Sequence, residues 1–69
     1  MVEVFTTNVA DREEANRLVH LLQVHFPESR INFDLEDCDK ILRVEGRNFI
    51  PEKIMSLVIQ HGFNCQVLD

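Results

Sequence analysis

The first part of the chain alternates like a β-strand and then repeats like an α-helix. β-Branched and aromatic residues alternate with polar ones from Val2 to Thr7, which is typical of a strand. Asp11 is followed three residues later by Glu14, a capping-box pattern that marks the start of a helix. Apolar residues then recur at helical spacing up to the next proline, at Ala15, Leu18, Val19, Leu22 and Phe26. The pattern predicts a strand and then a helix from about Arg12 to Phe26.

The middle of the chain has the alternation of a β-hairpin. Ile31, Phe33 and Leu35 alternate with polar residues, and the alternation resumes at Leu42 and Val44. Between these two runs lies a polar segment, residues 36–40, which contains Cys38. We expect this segment to be the turn that joins the second strand to the third.

The last part of the chain predicts a second helix and a final strand. Pro51 stands where a first helical residue belongs, and an apolar stripe follows it. The stripe closes at His61 and Gly62, where a glycine suits a left-handed C-cap. We therefore expect a helix from about Pro51 to His61. The residues after it alternate as a last strand, with inward positions at Phe63, Cys65 and Val67.

The order of these elements, βαββαβ, predicts the fold. Each helix carries a single apolar stripe, so both helices must cover one face of a four-stranded sheet. Right-handed βαβ crossovers then favour a ferredoxin-like α/β sandwich with an antiparallel sheet in the strand order 4-1-3-2. A chain of 69 residues makes one domain, residues 1–69, with a thin core, because it buries only about 60% of the surface of its unfolded form.

Charge and hydrophobicity narrow the possible partners. Twelve acidic residues against seven basic ones give a net charge of −5, which repels phosphate backbones and anionic membrane surfaces. No segment has the basic and apolar parts of a secretory signal, and none approaches the roughly 20 apolar residues of a membrane span. Two cysteines are too few for a disulfide framework. We expect a cytoplasmic protein that contacts neither nucleic acid nor membrane.

Several segments agree in order and spacing with one known family. They are residues 31–35, the return strand 41–46, the helix start 50–52 and the ending 61–68. With these segments the chain resembles the heavy-metal-associated domain family, βαββαβ modules found as copper chaperones and as repeats of metal-transporting ATPases. The resemblance covers essentially the whole chain and implies the same fold.

The resemblance does not extend to the metal-binding residues. In that family the loop after the first strand carries Met-x-Cys-x-x-Cys, whose thiolates bind soft cations such as Cu(I). Here Ala10 and Glu13 occupy the two cysteine positions. Alanine has no donor atom and a lone glutamate is a hard ligand, so we expect no metal at this loop.

A replacement metal site is conceivable at the same end of the sheet. His61, Cys65 and either Asp11 or Asn8 fall there in the predicted topology, and imidazole and thiolate suit zinc or copper. A competing interpretation needs no metal. Cys65 lies on the inward face, where a cysteine acts as a small core residue, and a histidine before a capping glycine stabilises the negative end of its helix. We favour this second interpretation.

The residues predict binding rather than catalysis. No pair of nucleophile and base is discernible, and Gly46 and Gly62 are too few for a phosphate-binding loop, so we expect no enzyme. The open face of the predicted sheet should carry an apolar patch, which often marks association. We expect this patch to comprise Phe5, Ile41 and Leu68, flanked by Arg43 and Glu45.

The function predicted from the sequence is therefore a non-catalytic interaction module without a cofactor. It would dock through the open sheet face around Phe5, to a protein partner or to a second copy, with an acidic rim that attracts a basic partner. One alternative is a cytoplasmic metal-binding or metal-trafficking protein with ligands near His61 and Cys65. Another is a small-molecule sensor that binds its ligand between paired domains, which only fold analogy supports.

Overall fold

The computed structural model describes residues 1–36 and 40–68, and its six elements follow the predicted order. They are β1 (Val2–Thr7), α1 (Arg12–His25), β2 (Arg30–Asp34), β3 (Ile41–Glu45), α2 (Pro51–Gln60) and β4 (Cys65–Val67). Each helix ends one residue before its predicted end. The predicted turn and its Cys38 fall largely outside the described residues. None of the helices in the described ranges combines the length and the apolar character that a membrane crossing requires.

The sheet has the predicted strand order. Its strands run β2-β3-β1-β4, which is the order 4-1-3-2 counted from the other edge, and every pair is antiparallel. Phe5 of β1 lies opposite Leu42 of β3 and Val67 of β4. Directly opposed residues point to the same side of a sheet, so this register also fixes which side chains share a face. The ferredoxin-like fold class is confirmed.

Both helices pack on one face of the sheet. The main core cluster joins Leu22 of α1 and Val58 of α2 to Phe5, Leu42 and other residues of the strands. A smaller cluster of Val9, Ala15 and Leu18 lies at the start of α1. The opposite face of the sheet carries neither described helix.

Local signals define the helix ends. Asp11 has an extended backbone, and its side chain accepts a hydrogen bond from the Glu13 N–H at 2.8 Å, which confirms it as the N-cap of α1. Gly62 follows α2 with a φ of +93°, so the predicted left-handed glycine is also confirmed. Its N–H donates to the Ile59 carbonyl at 3.0 Å, and the Phe63 N–H donates to the Val58 carbonyl at 3.4 Å. These two bonds form a Schellman motif.

The prediction that Phe5 lies on the open face of the sheet is wrong. The Phe5 side chain is 0% exposed and packs in the main core under the helices. Apolar residues stand on both faces of β1, so alternation alone did not say which face the helices cover. The helices cover the face with the aromatic ring because burying a phenyl group removes more apolar surface from water than burying Val2 or Val4 does.

Candidate interaction surface

The open face is the side of the sheet that the helices leave uncovered. In the register, Arg43 lies opposite Val4 and Asn32, and Thr6 lies opposite Gln66. Leu68 continues this side beyond β4, since it stands two residues after Gln66 and its N–H donates to the Val4 carbonyl at 2.8 Å. The open face therefore consists of Val2, Val4, Thr6, Arg30, Asn32, Asp34, Ile41, Arg43, Glu45, Gln66 and Leu68.

The exposed apolar surface of the open face lies on β1 and at the end of β4. Val2 is 54% exposed, Leu68 is 43% exposed and Val4 between them is half-buried. We call these three residues the Val/Leu patch. Ile41 lies on this side, as predicted, but is only 5% exposed and so offers a partner little contact area. The expected patch does not include Val2 and Val4, because the alternation along β1 does not indicate which of its two apolar faces the helices cover.

The charges on the open face balance. Within the strands it carries Arg30 and Arg43 against Asp34 and Glu45, so two positive and two negative charges sum to zero. Arg30 stands directly opposite Glu45 in the ladder. The whole chain has a net charge of −5, so its excess of acidic residues lies elsewhere. The expected acidic rim therefore does not belong to the strands of this face.

The loops at one end of the sheet are tied together, as the topology predicted. The Thr7 hydroxyl donates to the Lys40 carbonyl at 2.7 Å, and the Asn8 side-chain carbonyl accepts from the Asn64 N–H at 2.8 Å. The loop from β1 to α1 contains Ala10, one of the two positions at which the resemblance predicts a cysteine. Here Ala10 is exposed in that loop, while Val9 is buried in the smaller core cluster. No local sequence pattern marks these loop hydrogen bonds, which join residues 33 and 56 positions apart.

The structure does not bring together the three candidate metal ligands. The Nδ1 atom of His61 lies 2.9 Å from the Leu57 carbonyl oxygen, and since that oxygen only accepts, Nδ1 carries the proton. The Asp11 carboxylate caps α1. Cys65 lies in the main core cluster. Among residues 1–36 and 40–68, no three His, Cys, Asp or Glu side chains form a group that could hold a metal ion.

The environment of Cys65 also disfavours a thiolate. Burial raises the pKa of its thiol from 9.0 to about 11, because the charged form loses its hydration in the core. The thiolate is the form that binds soft metals, so near neutral pH a cation would have to displace a tightly held proton. This environment is typical of the core role that Cys65 has in the competing interpretation.

Comparison with known proteins found no family model, no curated protein and no solved structure that matches the chain. The resemblance to the heavy-metal-associated domain family therefore stays a prediction that rests on segment order and spacing.

Proposed function

We propose that this chain is a non-catalytic interaction module that pairs with a second copy of itself through the open face. The observation that carries the proposal is the Val/Leu patch, where Val2 and Leu68 leave about half of each side chain in water on a sheet face without a helix. Association would remove that apolar surface from water.

The balanced charges favour a second copy over a basic partner. In a two-fold dimer a surface meets itself, so a surface that carries both signs can place each charge against its opposite. Arg43 and Glu45 lie two residues apart on the open face of β3. Arg30 of β2 stands directly opposite Glu45. A basic partner would gain from a net negative face, which the strands do not provide.

The size of the open face implies weak pairing. Four strands about 4.8 Å apart, each about five residues of roughly 3.4 Å, give a flat area of about 300 Å² per copy. Stable interfaces bury about 1,200–2,000 Å² in total, and smaller ones belong to transient contacts. We therefore expect self-association in the range of about 0.1–1 mM.

Dilution of the isotope-labelled chain tests the proposal. Between about 1 mM and about 0.02 mM, a range chosen for weak contacts, we expect amide shifts to change at Val2, Val4, Arg43 and Leu68. Sedimentation over the same range should show the average mass falling towards 8.1 kDa. A chain that stays monomeric throughout would contradict the proposal.

Substitutions at exposed positions link association to the patch. Leu68→Asp and Val2→Asp place a charge where the apolar contact would form, and both side chains are exposed enough for the fold to tolerate the change. We expect either variant to weaken association at least about fivefold, which is about 1 kcal/mol. The matched control is Ile50→Asp, an exposed aliphatic residue that lies outside the sheet. Equal association of Leu68→Asp and the parent would overturn the role of the patch.

A further inference from the structure

A groove runs along α1 in the helix layer, on the opposite side of the sheet from the open face. Its volume is about 420 Å³, within the roughly 300–1,000 Å³ of small-molecule sites. It is lined by Glu14, Arg17, Leu18, His20, Leu21 and Val24 of α1 and by His61 and Phe63. We call it the α1 groove.

The walls of the α1 groove are apolar and its floor belongs to the core. Leu18, Leu21 and Val24 follow one another at intervals of three residues along α1, and Phe63, between α2 and β4, also lines the groove. Leu18 is buried, and Phe63 packs against both core clusters, so these two side chains are held in place. Val24 is 67% exposed, the highest value among the large hydrophobic residues that the structure describes. Val24 is therefore the side chain of this wall with the most apolar surface left in water.

The rim of the groove carries one cationic side chain, Arg17, and the rings of His20 and His61. With histidine counted as neutral, Arg17 and one carboxylate, Glu14, sum to zero charge here, whereas the whole chain has a net charge of −5. Glu14 lies in the first turn of α1, where the helix dipole offsets part of its charge. The His61 ring is oriented by its bond to the Leu57 carbonyl. An anionic group can pair with Arg17 here, away from most of the acidic residues of the chain.

We propose that the α1 groove binds a small monocarboxylate with an apolar body, such as a medium-chain alkyl carboxylate. The apolar body lies against Leu21, Val24 and Phe63, and the carboxylate meets the guanidinium of Arg17, whose N–H donors match carboxylate geometry. A cationic ligand would meet Arg17 with the same sign of charge. A fully polar ligand would leave the apolar wall in water.

Three probes of equal chain length test the proposal on the intact chain. Octanoate, 1-octanol and octylammonium carry the same apolar body with a negative, neutral or positive end. We expect saturable amide shifts at Leu21, Val24 and Phe63, with octanoate bound about fivefold more tightly than octanol, as one exposed charged contact can provide. Equal affinities for the three probes, or octanoate shifts confined to the open face, would overturn the proposal.

Substitutions separate the charged contact from the apolar one. Arg17→Gln should lower octanoate affinity about fivefold, to the level of octanol, and leave octanol binding unchanged. Val24→Glu should abolish octanoate shifts, since it puts a carboxylate into the apolar wall. Ile59→Glu is the matched control, an exposed aliphatic residue of α2 that does not line the groove. If Val24→Glu leaves octanoate binding intact, the α1 groove is not the carboxylate site. The same conclusion follows if Val24→Glu abolishes self-association instead of octanoate binding.

Discussion

Cys65 shows how burial controls the chemistry of one residue. Its thiol has a pKa of about 11, and alkylating reagents attack only the thiolate. At pH 8 the thiolate fraction is then on the order of a hundredfold smaller than for a thiol of pKa 9.0. In a Cys38→Ser variant Cys65 is the one remaining thiol. There we expect iodoacetamide to modify the folded chain at least about tenfold more slowly than the unfolded chain. Mass spectrometry measures both rates.

The pH dependence gives a second readout for Cys65. Because the folded thiol ionises near pH 11, its alkylation rate should keep rising from pH 9 to pH 11, whereas the rate of the unfolded chain levels off above pH 9. The unfolded chain in denaturant is the control for the reagent itself. If the folded and the unfolded chain were alkylated at equal rates at pH 8, Cys65 would carry an accessible thiolate. That result would favour the metal-binding alternative near His61.

The burial of Phe5 does not follow from the pattern of residues along β1. Alternation correctly separated Phe5 from Val2 and Val4, but both sets are apolar enough to face a core. The choice depends on which side the helices cover and on the residues opposite Phe5, Leu42 and Val67, which are distant in sequence. Cys65 could be placed inward, because it shares its face with Phe63 beside the polar Asn64 and Gln66.

The end of α2 is an element whose geometry depends on one glycine. Gly62 has a φ of +93°, and a Cβ added there would meet no atom within 4 Å, so any cost of a side chain comes from the backbone. We expect Gly62→Ala to lower the free energy of unfolding by about 1–2 kcal/mol. That loss corresponds to a fall of roughly 4–8 °C or more in Tm for a chain of this size. Thermal unfolding followed by circular dichroism measures it.

A second substitution at the same position is the control for the Schellman motif. Asparagine adopts the left-handed conformation more readily than alanine, so Gly62→Asn should cost less than Gly62→Ala. An alanine variant as stable as the parent would mean that α2 does not need the left-handed residue.

The helix ends were predictable because caps are local signals. Asp11 and Gly62 act on residues within one turn, so their types and spacing predict the start of α1 and, to within one residue, the end of α2. The predicted end of α1 is also one residue late, since Phe26 still donates its N–H to the Leu22 carbonyl but has left helical geometry. The bonds of Thr7 to Lys40 and of Asn8 to Asn64 join residues 33 and 56 apart, and no local pattern marks them.

At the scale of the whole molecule, one layer of helices leaves two apolar surfaces to explain. The open face carries charges of both signs that can pair with those of a second copy, whereas the α1 groove places Arg17 beside an apolar wall and suits a small anion with an apolar body. The two lie on opposite sides of the sheet. Octanoate binding and self-association should therefore vary independently among the variants, so failure of one proposal leaves the other open to test.

The attachment of β4 depends on contacts between the two ends of the chain. This edge strand has 3 residues and pairs only with β1 among the described strands. The bond from the Asn64 N–H to the Asn8 side chain fastens its start to the first loop. We expect Asn8→Ala to speed amide exchange in β4 about fivefold, the equivalent of one hydrogen bond of about 1 kcal/mol. The amides that join β2 to β3 should keep their rates unless the whole chain unfolds more often.

Two variants are controls for the Asn8 substitution. Asn8→Asp keeps an acceptor oxygen and should exchange like the parent, while Asn16→Ala controls for an exposed asparagine on α1. Uniform acceleration across all four strands would mean that this bond contributes to global stability rather than to the docking of one edge.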